Sequence, residues 1–158
     1  FDDEHPMADG VASNISAAGA SQPWYRLVTV KSLKPILLQE REKPHFHMVT
    51  DMTDSRVFET GEYLVGGEAR YGAGYTYWQL AYRSTQTLNK ANYEAARDAM
   101  KAYTDDEGEP LGLRPDTIVV GRSTQAAARE LFEKQNLAGG ESNILWKDVK
   151  ILESDRLP

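Results

Sequence analysis

The sequence of 158 residues contains no cysteine, no apolar run of membrane-spanning length and no excess of positive charge. Without cysteine, disulfides, zinc-thiolate sites and thiol catalysis are excluded. No stretch of about 18 apolar residues is present to cross a membrane. With 18 Lys and Arg against 24 Asp and Glu, the net charge is −6, which argues against binding to a phosphate backbone as the main role. The first residue is Phe1 rather than Met, so we expect a fragment or a processed product.

Sequence motifs for common enzymatic chemistry are also lacking. The phosphate-binding loop, the nucleophile elbow and the twelve-residue calcium loop are all absent. The glycine-rich stretch GGEARYGAG at 66–74 is not followed by a strand-to-helix switch, so it predicts bulges or a turn. Nearby, Glu59, Glu62 and Glu68 are typical of solubilising charges on a strand-rich surface. The residues therefore predict no catalytic group and no cofactor.

The densest apolar and aromatic run lies between Val57 and Ser84. In its second half, Tyr75 and Tyr77 fall on one face of a strand, while Trp78 and Leu80 fall on the other. This alternation has the period of two that is typical of strands, and glycines interrupt the middle of the run. The pattern predicts a long hairpin at the centre of one sheet.

Elsewhere, blocks of strand-like sequence come first, and a helix–strand–helix–strand order follows. Residues 1–23 are predicted to be a flexible N-terminal loop segment, and residues 24–158 a single domain. Asn89 is the predicted N-cap of one helix, and Ser123 that of another. Further strands are predicted at 24–30, 36–41, 45–50, 117–120 and 148–152. This order predicts an α+β fold with a mixed or antiparallel sheet, a long central hairpin and two main helices.

Two imidazoles, those of His45 and His47, share one face of a predicted strand. With His5 and a carboxylate from Asp2, Asp3 or Glu4, they could form a zinc site. No helical HExxH motif supports that reading, and nothing in the sequence brings the two segments together. The sequence therefore favours two solvated histidines over a metal site.

Six segments, taken together, resemble the major head subunit (major capsid protein, gpT family) of Mu-like phages and prophages. They occur in the family's order and with similar spacing, and they cover nearly the whole chain. No single segment is a chemical motif, but the ordered set is specific. The segments are FDDEHP at 1–6, KPILLQEREKP at 34–44, EYLVGGEARYGAGYTYWQLAY at 62–82, LNKANYEAARDAM at 88–100, DDEGEPLGLRPDTIVV at 105–120 and AAARELF at 126–132.

The resemblance implies a structural protein and no enzyme. It implies a Hong Kong 97-like fold, of which this chain would be the C-terminal portion. Residues 24–158 would comprise the axial domain and part of the peripheral domain of the capsid subunit. The implied function is self-assembly into the icosahedral head shell that encloses DNA, in the virion and, during assembly, in the cytoplasm of the bacterial host.

The resemblance also implies partners. Identical subunits would form hexamers and pentamers, and scaffold and portal proteins would be further partners; no sequence-specific nucleic acid or membrane is expected. The acidic loop of Asp105, Asp106 and Glu107 is our predicted subunit contact, because its charges could meet Lys or Arg of a neighbour. The piece alone is expected to be monomeric. The implied N-terminal extension and spine helix, which would supply most of the contacts between subunits, would precede Phe1.

Two alternatives remain open at the level of sequence. One is a small metal-dependent enzyme or ligand-binding domain that uses His45, His47 and a carboxylate, for which stoichiometric zinc would be the evidence. The other is a general interaction module, which would bind a different protein and would not self-assemble.

Overall fold

The computed structural model describes residues 1, 4–7, 10–16, 22–137 and 139–158. These residues form two compact units, one of residues 1–35 and 75–158 and one of residues 36–74. Within the described part of the chain, no helix has the length and apolar character needed to span a membrane. Strands and a few helices occur together, which confirms the predicted mixture of α and β structure.

Nine strands and three helices make up the described structure. The strands are β1 His5–Met7, β2 Gly10–Ala12, β3 Ile15–Ser16, β4 Trp24–Leu27, β5 Ile36–Val49, β6 Leu64–Tyr75, β7 Ala81–Ser84, β8 Thr117–Val120 and β9 Lys150–Glu153. The helices are α1 Ser55–Thr60, α2 Lys90–Lys101 and α3 Gln125–Phe132.

The first unit is built on a five-stranded sheet with the order β3–β7–β4–β8–β9. The central strand β4 is antiparallel to both of its neighbours, with Trp24 opposite Ser84 on one side and Val120 on the other. The outer pairs β3–β7 and β8–β9 are parallel. The sheet is therefore mixed, as the sequence predicts. Strands β1 and β2 form a separate antiparallel pair.

Helix α2 follows the sequence prediction closely. Asn89 adopts an extended backbone, and its side chain accepts a hydrogen bond from the backbone N–H of Asn92 at 2.9 Å. The apolar positions Tyr93, Ala96 and Met100 recur at helical spacing and are all buried. The polar cap fixes where the helix begins, and the apolar stripe fixes which face it buries.

Helix α3 begins later than predicted, and Ser123 is not its cap. The Ser123 hydroxyl donates instead to the carbonyl oxygen of Pro158 at 2.7 Å. Thr124 stands at the N-cap position, but its side chain makes no capping bond to the helix. Its buried hydroxyl lies 3.2 Å from the backbone nitrogen of Gly121 and 3.3 Å from that residue's carbonyl oxygen. The threonine is used to hold the turn between β8 and α3.

The hydrophobic core lies between the five-stranded sheet and the helices α2 and α3 of the first unit. One charged side chain, that of Arg26 on β4, is buried with it and is only 1% exposed. The buried apolar residues of the cluster are Trp24, Val28, Leu80, Tyr82, Leu88, Tyr93, Ala96, Met100, Tyr103, Leu113, Ile118, Val120, Ala128, Phe132, Leu145 and Val149.

The predicted hairpin between Val57 and Ser84 is wrong. The first part of that run is helix α1, which ends at Gly61 with a left-handed φ of 68°. The alternation from Tyr75 to Tyr82 is broken by a 3-10 turn at Trp78–Leu80, which places Leu80 in the core. Asn14 supports this turn, because its side-chain amide donates to the carbonyl oxygens of Trp78 and Ala81 at 3.3 Å. Tertiary contacts override the local pattern of period two.

The long hairpin that is present consists of β5 and β6. These two strands form a sheet of their own and are not part of the five-stranded sheet. The sequence predicts two strands on either side of Pro44, but β5 is one continuous strand of 14 residues. Both strands of a two-stranded sheet are edge strands, where a residue without an N–H can be accommodated. Helix α1 lies in the connection between the two strands.

The N-terminal segment is more ordered than predicted. The loop segment predicted over residues 1–23 contains β1, β2 and β3, and β3 pairs with β7 of the main sheet. The parts of this prediction at 2, 3, 8, 9 and 17–21 lie outside the described residues. The assignment of residues 24–158 to axial and peripheral capsid domains stays a prediction.

Candidate functional site

The unit of residues 36–74, called the arm below, exposes most of its apolar side chains. Among its described residues, Val57 of α1 is fully buried, while Phe46 on β5 is 77% exposed and Leu38 is 73% exposed. Exposed apolar residues occur on both strands and in the connection between them. They are Ile36, Leu37, Leu38, Phe46, Met48, Val49, Met52, Phe58, Tyr63, Val65 and Tyr71.

Strands β5 and β6 run in opposite directions along the arm. A Cβ atom placed on Gly67 would lie 3.2 Å from the Phe46 ring, and one on Gly72 would lie 3.7 Å from the side chains of Gln39 and Arg41. Gly72, which follows Gly67 along β6, therefore lies opposite residues that precede Phe46 along β5, as in an antiparallel pair. At Gly67 the backbone approaches the aromatic ring closely, which is a position where glycine suits a strand.

Three titratable side chains, two on β5 and one on β6, form a cluster on the arm. His45 Nε2 lies 2.9 Å from Glu68 Oε1, and His47 Nε2 lies 3.5 Å from the same oxygen. The two imidazole rings meet edge to face with their centroids 4.7 Å apart. The prediction that both imidazoles share one face of a strand is therefore confirmed.

The carboxylate partner differs from the one that the sequence suggests. Glu68 of β6 supplies it. His5 belongs to the other unit, where its ring stacks on Trp78 at 4.0 Å and its Nε2 lies 3.2 Å from Asn14 Oδ1. Asp2 and Asp3 lie outside the described residues. The sequence signal that could have pointed to Glu68 is its position on the face of β6 that alternation predicts. That signal becomes informative only when the pairing of β5 with β6 is known.

The acidic loop that follows α2 is held by one of its own side chains. The Asp105 carboxylate accepts hydrogen bonds from the backbone N–H of Glu107 at 3.0 Å and of Glu109 at 2.9 Å. The side chains of Asp105, Asp106 and Glu107 are exposed. Asp105 thus organises the turn, and Asp106 and Glu107 are the charges the loop presents. Their role as a subunit contact stays a prediction.

The family model of the Mu-like prophage major head subunit gpT matches residues 1–157. The chain belongs to this family. Membership confirms the resemblance seen in the sequence, and it confirms the expectation of a structural protein that is not an enzyme. It also removes the reading of the His45 and His47 pair as the centre of a small metal-dependent enzyme.

Two curated relatives show how much of a head subunit this chain represents. It is 32% identical over 154 residues to the major capsid protein of Escherichia phage Mu, with 91% of this chain and 50% of that protein covered. It is 35% identical over 146 residues to the Mu-like prophage FluMu major head subunit of Haemophilus influenzae, with 85% and 47% covered. The chain therefore spans about half the length of the curated relatives it matches.

Solved capsid structures share the fold. A chain in the procapsid of bacteriophage JBD30 superposes with a TM-score of 0.81 at 37% identity, and the match covers 98% of this chain and 55% of that one. A chain in the bacteriophage JBD30 capsid gives a TM-score of 0.83 at 21% identity, with 98% and 54% covered, which is evidence for the fold alone. The fold of this head-subunit chain is thus that of phage capsid proteins.

Proposed function

We propose that this chain is the C-terminal portion of a major capsid protein and helps to join identical subunits into the icosahedral head that encloses phage DNA. Its site of action is the virion, after assembly in the cytoplasm of the bacterial host. We further propose that it contributes the axial domain and part of the peripheral domain of a Hong Kong 97-like subunit. Hexamers and pentamers are the proposed assemblies, with scaffold and portal proteins as further partners.

The exposed apolar arm is the observation that carries this proposal. A two-stranded ribbon is marginally stable in water by itself, because it lacks a buried face. Large exposed apolar surfaces on a folded protein mark places where another molecule binds. A shell built from copies of one chain supplies such a cover for every arm, since each subunit meets the same neighbours.

The contact we propose is heterologous, which means that the arm of one subunit meets a different surface of the next. Such contacts form a closed ring, as a capsomer requires, when the rotation between neighbouring subunits closes. The acidic loop at Asp105, Asp106 and Glu107 is proposed as a second contact, with Lys or Arg of a neighbour. Each exposed ion pair contributes only about 0–1 kcal/mol, so the loop acts through the many copies in a shell.

The test is electron microscopy of a subunit of the relatives' full length that contains this chain. The wild-type subunit should form closed shells or capsomer rings. The double variant Leu38→Ser and Phe46→Ser should remain folded, because both side chains are already exposed, but it should fail to assemble. Ile144→Ser is the matched control, since this residue of the first unit is 73% exposed. Assembly of the double variant at the wild-type level would refute the role of the arm.

The loop is tested separately by reversing its three charges to lysine. We expect fewer shells than with a matched reversal of three exposed acids elsewhere in the first unit, Glu133, Glu141 and Asp155. If the two triple variants assemble equally well, the loop at 105–107 is not a subunit contact.

A further inference from the structure

The imidazoles of His45 and His47 and the carboxylate of Glu68 converge on the surface of the arm. One ligand atom from each of them lies within 4.8 Å of those of the other two. We propose that these three side chains bind one divalent transition-metal ion, with Zn²⁺ as the ion that fits them best. This inference stands apart from the role in assembly, because it rests only on the contacts within the arm.

The orientation of His45 favours a cation at this position. Its Nδ1 lies 3.1 Å from the carbonyl oxygen of Lys43, and a carbonyl only accepts, so Nδ1 must carry the hydrogen. In the neutral ring, Nε2 then presents a lone pair to Glu68 Oε1, which also only accepts. Two acceptors at 2.9 Å are compatible only when a cation (a proton or a metal ion) lies between them.

The hydrogen bond to Lys43 also prepares the ring for metal binding. Histidines that bind metals commonly donate their second ring N–H to a carbonyl or a carboxylate, which fixes the tautomer and orients the ring. Here the backbone of the same strand provides that acceptor. With Nδ1 bonded to Lys43, His45 Nε2 faces Glu68 Oε1, the oxygen that His47 Nε2 also approaches.

The ligand set and the spacing both point to zinc. Two imidazole nitrogens and one carboxylate are a known zinc combination, with water in the remaining position, whereas Mg²⁺ and Ca²⁺ prefer oxygen ligands. Zinc–ligand bonds of about 2.0–2.2 Å place the atoms of a tetrahedral site about 3.3 Å apart. The distances from Glu68 Oε1 to the two imidazole nitrogens, 2.9 and 3.5 Å, lie on either side of that value, and all three ligand atoms lie within 4.8 Å of one another.

A neighbouring ion pair borders the three proposed ligands. Glu42 Oε1 lies 3.9 Å from His45 Nε2, and Glu42 Oε2 pairs with Arg70 Nε at 3.2 Å. The positive charge of Arg70 is thereby neutralised beside the metal position rather than left to oppose the ion. A bound ion would connect His45 to Glu68, 23 positions along the chain, and would hold β5 against β6.

The test is calorimetric titration of the untagged chain, first freed of metal with a chelator, with zinc chloride. We expect one Zn²⁺ per chain and no saturable signal with magnesium chloride. His45→Gln, His47→Gln and Glu68→Gln should each weaken zinc binding by at least about tenfold, since losing even a partner that only orients a metal ligand costs about 10–100-fold in affinity. Glu59→Gln, an exposed carboxylate of the arm outside the cluster, is the matched control and should bind as the wild type does.

A second measurement uses the wild-type chain, so it does not depend on variants that could alter the structure of the arm. Imidazole nitrogen signals in NMR spectra of the wild-type chain should shift for His45 and His47 when zinc is added, while those of His5 stay in place. The absence of saturable zinc binding would overturn the proposal. So would equal affinity in all four variants, or a shift of the His5 signals alone.

Discussion

The guanidinium carbon of Arg26 lies 4.1 Å from the centre of the Tyr93 ring, inside the core of the first unit. Arg26 also donates from Nη1 to the Tyr93 carbonyl oxygen and from Nη2 to the Tyr93 hydroxyl oxygen, both at 3.2 Å. The hydroxyl in turn donates to Asp148 Oδ2. The chain Arg26–Tyr93–Asp148 therefore links β4 to α2 and to the segment before β9.

Burial is the dominant influence on both titratable groups of this pair. It lowers the pKa of Arg26, while Tyr93 and Asp148 act in the opposite direction. It raises the pKa of the Tyr93 phenol well above its usual range, so the hydroxyl keeps its proton and can donate to Asp148. The planar guanidinium can lie flat on the ring while two separate nitrogens donate to different oxygens, whereas an ammonium group has no plane and a single nitrogen.

Arg26→Lys should therefore destabilise the first unit although the charge is kept. We expect the free energy of unfolding to fall by about 2 kcal/mol, because a hydrogen bond to a charged group contributes about 1.5–3 kcal/mol and lysine cannot keep both of those that Arg26 makes to Tyr93. Urea unfolding of the chain measures this. Arg122→Lys, an exposed site, is the control and should change stability by no more than about 0.5 kcal/mol. Equal effects of the two variants would show that the stacking and the paired donors do not matter.

Asp116 makes the stability of the first unit sensitive to acid. Burial pushes the pKa of its carboxyl up, but hydrogen bonds from the side chain and backbone of Thr29 and from Thr117 lower it more, so the net shift is downward from 3.8. A folded-state pKa below the unfolded value contributes stability that is present above the unfolded pKa and is lost as the pH falls through the folded one.

Asp116→Asn should therefore cost about 2 kcal/mol at neutral pH, the usual range for hydrogen bonds to a charged group. The difference from the wild type should begin to shrink as the pH falls below about 4, where the unfolded carboxyl takes up a proton. It should vanish once the pH lies below the lower pKa of the folded carboxyl. Urea unfolding at several pH values measures it, with Asp155→Asn as the exposed control. A difference that grows on acidification would contradict the assignment.

The N-cap of α2 gives a third expectation. Asn89→Ala removes the side-chain acceptor for the N–H of Asn92 and should lower the free energy of unfolding by about 1 kcal/mol. Asn89→Asp keeps an acceptor at the same place and should be close to neutral. Thermal unfolding followed by circular dichroism compares the two variants. If alanine and aspartate proved equivalent, the cap would not be stabilising the helix.

The elements that could be predicted from the sequence are those with a local cause. Helix α2 has both a cap at Asn89 and a buried stripe at helical spacing, and β8 is a short apolar strand. The arm could not be predicted in this way, because β5 and β6 pair across an intervening helix. The aromatic alternation from Tyr75 to Tyr82 was misleading, since Leu80 is drawn into the core and the strand gives way to a turn.

The histidine cluster shows the same limit at the level of a site. The positions of His45 and His47, two apart on a strand, predict that their side chains share a face. No local pattern identifies Glu68 as their partner, because the register between two strands is not a property of either strand alone. The family relationship was evident in the sequence, since six ordered segments carry it without any knowledge of the pairing.

The acidic loop gives the last expectation, which separates the residue that shapes the turn from the residues that face outward. Asp105→Ala removes the acceptor for two backbone N–H groups, those of Glu107 and Glu109. A hydrogen bond to a charged group contributes about 1.5–3 kcal/mol, so amide exchange at 107 and 109 should accelerate by at least about tenfold. Hydrogen exchange measured by NMR follows each amide separately.

Asp106→Ala is the matched control for this measurement, because it removes an exposed carboxylate from the same loop. It should leave exchange at 107 and 109 unchanged. Shell assembly should depend on Asp106 instead, if this residue carries the contact. Asp106→Lys should then disturb assembly while the loop keeps its shape. Faster exchange in both alanine variants would mean that the net charge of the loop, and not the acceptor at Asp105, holds the turn.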